Sequence, residues 1–291
     1  MKNGKKKGKR VLIYFFTVLF TFWSLAPVIW MFISSITPTN ELMDLKHIFS
    51  SLFTLDRYKL LFLGEQVAGV NVNALKQSEL FRHALGNSLF VSISATVVSV
   101  AIGASASFAF AKLKFRGSKF IQFSALFFQL LPPVAILIPY YVAAAKLGAL
   151  DKLPTLIIVY INSVLVYVIW VMTSYFKSLP DDLIHAARVD GCSYLGAYIR
   201  VILPSALPGF VTVGVLAFLM CWDEFMYALV FMQSDANKTI TVAVSEFGTK
   251  YSIDYGLMMA GGVVATVIPA LFVLFFQRYI VSGLTSGAIK E

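Results

Sequence analysis

Charged side chains are scarce in this chain. Only 13% of the 291 residues are Asp, Glu, Lys or Arg, and 58% are hydrophobic. A soluble domain carries about 25% charged residues and roughly 45–50% apolar ones. With a mean hydropathy of +0.79, the composition excludes an ordinary soluble protein and indicates one embedded in a membrane.

Cysteine and histidine are also rare. Two cysteines, Cys192 and Cys221, cannot form a disulfide framework. The three histidines, His47, His83 and His185, all lie outside the apolar runs. No cluster with metal-binding or catalytic spacing results, which argues against a membrane enzyme and predicts no metal or cofactor in this chain. Internal repeats and an intramembrane relay are also missing, which argues against a secondary carrier.

Long apolar runs dominate what is present. About 20 apolar residues cross a bilayer as a helix, and continuous rather than alternating runs exclude a barrel. Five runs carry no charged residue, and a sixth contains only Asp223 and Glu224. We therefore predict an all-α integral membrane protein with six transmembrane helices, near residues 11–34, 88–111, 120–145, 153–176, 202–232 and 255–277. Segment 11–34 exceeds the usual 7–15-residue signal core, so we interpret it as an uncleaved span.

The basic residues predict the orientation. If the tail 1–10 is cytoplasmic, the inside segments carry more Lys and Arg than the outside ones. Both termini are then cytoplasmic, including the tail 283–291. Segment 35–84 becomes an extracytoplasmic loop before the transmembrane core 85–282. The segment 177–201 becomes a cytoplasmic loop.

That loop contains the stretch HAARVDGCSYLGAYIRVILP at 185–204. Ser178 is a candidate helix cap before Pro180, and Ser193 is a candidate cap for a second helix. Gly191 between them suits a helix end. The sequence predicts two short helices joined at glycine, with an apolar stripe that includes Leu195 and Ile199. From spacing alone, the loop is either a solvated connector or a surface that receives a partner.

The stretch resembles the EAA motif of ATP-binding-cassette importer permeases. Seven positions match the family pattern: Ala186, Ala187, Asp190, Gly191, Ile202, Leu203 and Pro204. The family glutamate is replaced by His185, and an imidazole cannot replace a fixed anion. The resemblance implies the type I importer permease fold, with a cytoplasmic coupling helix that docks in a cleft of an ATPase subunit.

Three further stretches resemble the carbohydrate-uptake branch, on the plan of the maltose permease. They are 86–117, CWDEFMYALVFM at 221–232, and 278–291. The resemblance implies a multi-pass protein of a bacterial or archaeal cell membrane that pairs with a second permease. Two ATPase subunits holding ATP-Mg and an extracytoplasmic sugar-binding protein complete the expected complex. Importers of amino acids, polyamines or phosphate share the coupling loop and stay open as the alternative.

Several residues within the spans are candidates for the translocation pathway or a subunit interface. They are Trp222, Asp223, Glu224, Asn162 and Gln129. A carboxylate inside a bilayer is costly unless it faces protein or water. Pro132, Pro133 and Pro139 predict either a hinge or a static kink in the third span. The small residues at 103–107 favour close helix packing over pathway lining.

Overall fold

A computed structural model describes residues 2–38, 41–42, 53–65, 74–113, 115–248 and 254–286, and among these it contains helices and turns but no strand. The helices are α1 (Lys2–Ile36), α2 (Asp56–Leu63), α3 (Ala74–Lys112), α4 (Ser118–Gln129), α5 (Pro133–Lys146), α6 (Leu153–Ser178), α7 (Asp182–Val189), α8 (Tyr194–Ala197), α9 (Leu203–Ser205), α10 (Leu207–Trp222), α11 (Met226–Phe231), α12 (Ile240–Ser245) and α13 (Tyr255–Ser286). Parts of the predicted loop 35–84 and residues 287–291 of the predicted tail lie outside the described residues.

Membrane-spanning length is reached in two ways. Four described helical segments are long and apolar enough on their own: Arg10–Ile36, Leu75–Lys112, Leu153–Ser178 and Tyr255–Ile280. Two bent helix pairs, α4 with α5 and the helices from Tyr194 to Ser205 with α10, reach the same length and hydropathy only when each pair is taken together, which brings the number of candidate spans to six. The lipid-facing sides carry large apolar residues such as Phe120 and Leu130, as expected for helices whose solvent is hydrocarbon.

The third predicted span is two helices. Residues 120–145 were expected to form one kinked helix, but α4 and α5 meet at 91°. Pro132 and Pro133 explain the break, because Pro133 is the first residue of α5 and neither proline donates a backbone hydrogen bond. Pro139 lies inside α5 without interrupting it.

The span predicted over 202–232 is shorter than expected. Its helix α10 begins at Leu207 and ends at Trp222, and α11 starts again only at Met226. The start of α10 at Leu207 follows from Pro204 and Pro208, because proline has no backbone N–H to continue a regular hydrogen-bond ladder. Asp223 and Glu224 therefore lie at a helix break rather than within a continuous span.

The chain forms two compact units. The first comprises residues 1–82 and 243–267. In it, Arg57 is 3% exposed and donates hydrogen bonds to the carbonyls of Ser34, Ser35 and Thr37 at the end of α1. These carbonyls have no partner within the helix. Arg57 therefore holds the end of α1 against α2.

The second unit comprises residues 83–242 and 268–291, with α6 at its centre. Val164, Val168 and Met172 of α6 are almost fully buried. The small residues of α3 allow α6 to approach, because a Cβ at Gly103 would lie 2.6 Å from Val168. Ser107 donates a hydrogen bond to the carbonyl of Ile169 at 3.0 Å. The segment 103–107 thus packs helices together, as its composition favours.

Candidate functional site: the coupling loop

The coupling loop, residues 179–206, connects α6 to α10. An ion pair anchors its start, where the Lys112 ammonium lies 2.6 Å from the Asp181 carboxylate and donates to the Leu179 carbonyl at 2.7 Å. The Lys112 side chain is only 4% exposed, so the contact fixes the loop to the end of α3. The expectation that Ser178 caps the next helix is wrong, because α6 continues through Ser178 and its hydroxyl bonds back to Tyr175.

The turn after α7 depends on glycine. Gly191 has φ +88°, which costs an L-residue with a Cβ about 1–2 kcal/mol. The amide of Cys192 bonds to the Ala187 carbonyl at 2.9 Å, and that of Gly191 bonds to the Arg188 carbonyl at 3.1 Å. This pair of bonds is a Schellman motif, which satisfies the last carbonyls of a helix. The predicted glycine junction is therefore present.

The second helix of the loop starts at the predicted cap. The Ser193 hydroxyl accepts a hydrogen bond from the Gly196 amide at 3.1 Å. α8 then widens into one π-helical segment, Tyr198–Ile202, before Pro204. The guanidinium of Arg188 lies 4.3 Å from the ring centroid of Tyr194, which ties α7 to α8 across the turn.

One face of the loop is part of the core of the second unit. Its buried residues are Ile184, Ala187, Ala197, Tyr198 and Ile202. The ring of Tyr198 lies 4.6 Å from that of Phe108 on α3, and Phe108 lies 6.1 Å from Phe176 on α6. This aromatic junction packs the loop against α3 and α6.

The other face points away from the chain. His185, Ala186, Asp190, Gly191 and Pro204 are exposed, and Leu203 is partly buried. The predicted motif residues therefore lie on both faces of the loop, and Ala187 and Ile202 are the ones that pack into the core.

Two large apolar side chains are also on this outer face. Val189 is 88% exposed and Leu195 is 65% exposed. The sequence predicts one apolar stripe of Leu195, Tyr198, Ile199 and Ile202, and this prediction is wrong. Leu195 and Ile199 are exposed, whereas Tyr198 and Ile202 are buried. We call Val189, Gly191 and Leu195 the docking face.

The two carboxylates after α10 have different surroundings. Glu224 accepts hydrogen bonds from the amides of Tyr227 and Ala228 at 2.7 and 3.1 Å, and from the Tyr160 hydroxyl at 2.7 Å. It therefore satisfies the free amides at the start of α11. Asp223 is exposed at the end of α10. Sequence reasoning treated the pair alike, and only the three-dimensional contacts with Tyr160 and α11 separate them.

The remaining pathway candidates are dispersed. Trp222 is 2% exposed and packs on Phe218, so its ring is enclosed by the chain. Asn162 is exposed and donates to the Tyr140 hydroxyl at 2.7 Å. Gln129, at the end of α4, makes a 3.4 Å bond to the Ser163 carbonyl. Within the described residues, no group of three His, Cys, Asp or Glu side chains could hold a metal ion.

A second polar cluster lies at the other end of α6. Asp151, with φ +58°, accepts hydrogen bonds from the amides of Gln233 and Ser234 at 3.0 and 3.1 Å. Its backbone carbonyl accepts from the Asn237 amide group at 2.7 Å. Burial acts to raise the pKa of Asp151, but hydrogen bonds from Ser234, Asn237 and Gln233 together outweigh it and lower that pKa. No sequence pattern predicts these hydrogen bonds around Asp151.

Comparison with known proteins identifies the family. Residues 99–286 match the binding-protein-dependent transport system inner membrane component family. The chain is 35% identical over 270 residues to the trehalose transport system permease protein SugB of Mycobacterium tuberculosis, covering 92% of this chain and 93% of that protein. It is 30% identical over 289 residues to the trehalose/maltose transport system permease protein MalG of Thermococcus litoralis, covering 97% of each chain.

Solved structures agree on the fold. A bacterial ABC transporter involved in the import of the acidic polysaccharide alginate has a chain with a TM-score of 0.72 and 20% identity, covering 92% of this chain and 95% of its own. A chain of the MetNI methionine ABC transporter has a TM-score of 0.55 and 16% identity, covering 70% of this chain and 94% of its own. The described helices, their coupling loop and these similarities lead to one conclusion: the chain belongs to the inner membrane permease family of ABC importers and has the six-helix fold of that family.

Proposed function

We propose that this chain is one of two permease subunits of an ATP-driven importer of a carbohydrate. The observation that carries the proposal is the coupling loop, with one face built into the helix core and an apolar docking face left outside. Relatives named for trehalose and maltose transport, which align over nearly the whole chain, support a sugar as the substrate class. An oligosaccharide or a related carbohydrate fits that class.

The proposed orientation places the docking face and both termini in the cytoplasm. The excess of Lys and Arg in the segments on that side supports it. The opposite end of α6, where Asp151 holds residues 233–237, then faces the extracytoplasmic solute-binding protein. A second, homologous permease completes the pathway, and two ATPase subunits lie below.

The docking face supplies the contact with the ATPase. Val189 and Leu195 flank a backbone turn at Gly191 that has no side chain of its own, and such a surface fits a cleft by shape. His185 beside it occupies the position of the family glutamate, so the fixed anion of that motif is absent here. We therefore expect docking to depend on packing around Gly191 more than on an ion pair at His185.

Transport follows from the rigid connection between the docking face and the helices. ATP-Mg, bound by the ATPase subunits, supplies the energy for their closure, and this chain takes part in no covalent step. Closure displaces the docking face, and the junction of Tyr198, Phe108 and Phe176 passes the displacement to α3 and α6. The pathway between the permeases then alternates between its two openings.

Of the carboxylates at the helix break, Asp223 is the better candidate for a contact with substrate or partner permease. Its side chain is exposed, whereas Glu224 is occupied by α11 and Tyr160. Glu224→Gln should lower the thermal unfolding temperature of the purified subunit, because a partly buried charge-assisted cap is weakened. Asp223→Asn, the matched control, should leave that temperature unchanged and alter substrate uptake or pairing. Equal thermal effects of the two changes would contradict this division.

Reconstituted vesicles test the function directly. The chain is assembled with its partner permease, ATPase and binding protein, and uptake of labelled trehalose or maltose is measured with ATP inside the vesicle. We expect uptake that requires ATP hydrolysis and persists after protonophore treatment. Uptake driven by a proton gradient without ATP would refute the proposal. If an amino acid, a polyamine or phosphate competes for uptake and sugars do not, the proposed substrate class is wrong, whereas the proposed ATP-driven import stands.

A further inference from the structure

A groove with surplus positive charge lies beside the coupling loop. Its volume is about 650 Å³, and it is bordered by the end of α3, the turn to α4, and the last turn of α6. Arg116, Lys119 and Lys177 line it. We call this the basic groove. It lies at the end of the helices where Lys112 meets Asp181, and hence on the membrane face of the coupling loop.

An apolar cavity lies next to the groove. It has a volume of about 150 Å³ and lies between α4 and α6, lined in part by Ala125, Leu126 and Trp170. We call it the apolar slot. Phe110 and Gln122 line both the slot and the groove, so the two spaces are adjacent. Gln122 provides an amide at the boundary between the charged and the apolar parts.

The charges of the groove are available to a ligand. Arg116, Lys119 and Lys177 have no acidic partner within ion-pair distance in the part of the chain that the structure describes. Lys112, one turn earlier, differs because Asp181 and the Leu179 carbonyl occupy it. Three unneutralised cations in one groove attract an anion, and basic pockets at the cytoplasmic ends of transmembrane helices bind anionic lipid headgroups.

The combination of the two spaces selects the ligand. A soluble anion such as inorganic phosphate would be held by the basic groove and would gain nothing from the slot. A neutral lipid would fill the slot and leave three cations without a counter-ion. A ligand with an anionic headgroup and an attached acyl chain satisfies both.

We infer that the basic groove and the apolar slot together form a binding site for one anionic phospholipid. The phosphodiester contacts Arg116, Lys119 and Lys177, and a segment of an acyl chain enters the slot against Trp170. Assignment to the cytoplasmic leaflet rests on the proposed function, whereas the site itself rests on the two spaces and their charges.

Trp170 provides a natural reporter for the test. The assembled transporter is reconstituted in phosphatidylcholine vesicles that contain a small fraction of brominated phosphatidylglycerol or, in parallel, brominated phosphatidylcholine. Bromine quenches tryptophan fluorescence on contact. The chain has four tryptophans, so the share of Trp170 is obtained by subtracting the signal of Trp170→Phe. We expect that share to be quenched preferentially by the brominated phosphatidylglycerol.

Two kinds of variant separate the two parts of the site. Each basic residue near the membrane surface contributes a factor of about five in anionic-lipid binding. Arg116→Gln, Lys119→Gln and Lys177→Gln should each lower the preference about fivefold, and the triple variant should abolish it. Ala125→Phe, which fills the slot, should remove quenching by both lipids. Lys146→Gln with Lys152→Gln, which removes charge at the opposite ends of α5 and α6, is the matched control and should retain the preference.

Three outcomes would overturn the inference: equal quenching of Trp170 by both lipids, a preference that survives in the triple variant, or a preference lost equally in the control. Equal quenching by both lipids would mean that the slot is an apolar crevice filled by a lipid of any headgroup or covered by a partner subunit. A preference that survives in the triple variant, or is lost equally in the control, would mean that charges elsewhere attract the anionic lipid. ATP-driven uptake is measured in the same vesicles. A loss of the importer function with retained lipid preference would refute the proposed function alone.

Discussion

Gly191 offers the sharpest test of the docking face. Its φ of +88° places it in the left-handed region, and a Cβ added there would meet no atom of the described residues within 4 Å, apart from its own chain neighbours. Gly117, in the turn between α3 and α4, has φ +86° and is equally open. Leucine at either position therefore carries the same conformational cost, about 1–2 kcal/mol. Any difference between the two variants arises from contact with another subunit.

The expected magnitude follows from packing. A leucine at Gly191 extends from the docking face into space that we propose the ATPase cleft fills in the complex. Overpacking of this kind costs typically 1–3 kcal/mol, and each 1.4 kcal/mol is a factor of ten. Docking of Gly191→Leu should thus be weaker by roughly 5- to 150-fold, whereas Gly117→Leu should dock as the unaltered chain does.

The assay compares ATPase rates with and without loaded binding protein in reconstituted transporter, together with the amount of ATPase that copurifies. We expect Gly191→Leu to lose the stimulation and to release the ATPase, while Gly117→Leu retains both. If Gly191→Leu is stimulated normally, the docking face is assigned to the wrong residues. If the two variants fail alike, backbone strain explains the result and the comparison refutes our reasoning.

Two further predictions concern contacts away from the docking face. Gly256→Ala should destabilise the purified subunit by about 1–3 kcal/mol in a thermal unfolding assay, because the new Cβ would overlap the guanidinium of Arg57. Gly214→Ala is the control, and because open space surrounds Gly214, this change should be neutral or stabilising in the same assay. A Gly256→Ala variant as stable as the control would contradict the described packing of Arg57. The lowered folded-state pKa of Asp151 predicts a stabilising contribution that is complete above its unfolded pKa of about 4 and is lost as the pH falls through the lower folded value. Asp151→Asn should abolish that acid-dependent part of hydrogen-exchange protection at residues 233–234, and an unchanged pH profile would refute it.

Much of the architecture could be predicted because bilayer thickness and hydropathy constrain it strongly. The sequence indicates six spans, and the described helices provide six candidate spans when each bent pair is counted as one. The breaks were missed because they depend on how prolines act in context. Pro132 and Pro133 end a helix and turn it by 91°, whereas Pro139 is accommodated inside α5. A residue list cannot distinguish these cases, since neighbouring helices decide whether the lost hydrogen bond is tolerated.

The coupling loop shows a similar limit. Gly191 and Ser193 carry local signals, a left-handed turn and a helix cap, and both are where the sequence predicts them. Leu195 and Ile199 do not share one apolar stripe with Tyr198 and Ile202, because α8 is only four residues long and then widens into a π-helical segment. Helical periodicity therefore does not hold across residues 195–202. The ion pair of Lys112 with Asp181 joins residues 69 positions apart, and no local pattern reports such a contact.

The aromatic junction gives α6 the properties of a lever arm. α6 has 26 residues, which corresponds to a length of about 39 Å. Because Phe108 and Phe176 clamp one end to the loop, a tilt of about 5° there would carry the Asp151 end through roughly 3 Å. A displacement of that size is comparable to the length of a hydrogen bond. A small rotation at the loop end of α6 would thus be large enough, at the other end, to break the hydrogen bonds that the amides of Gln233 and Ser234 donate to Asp151.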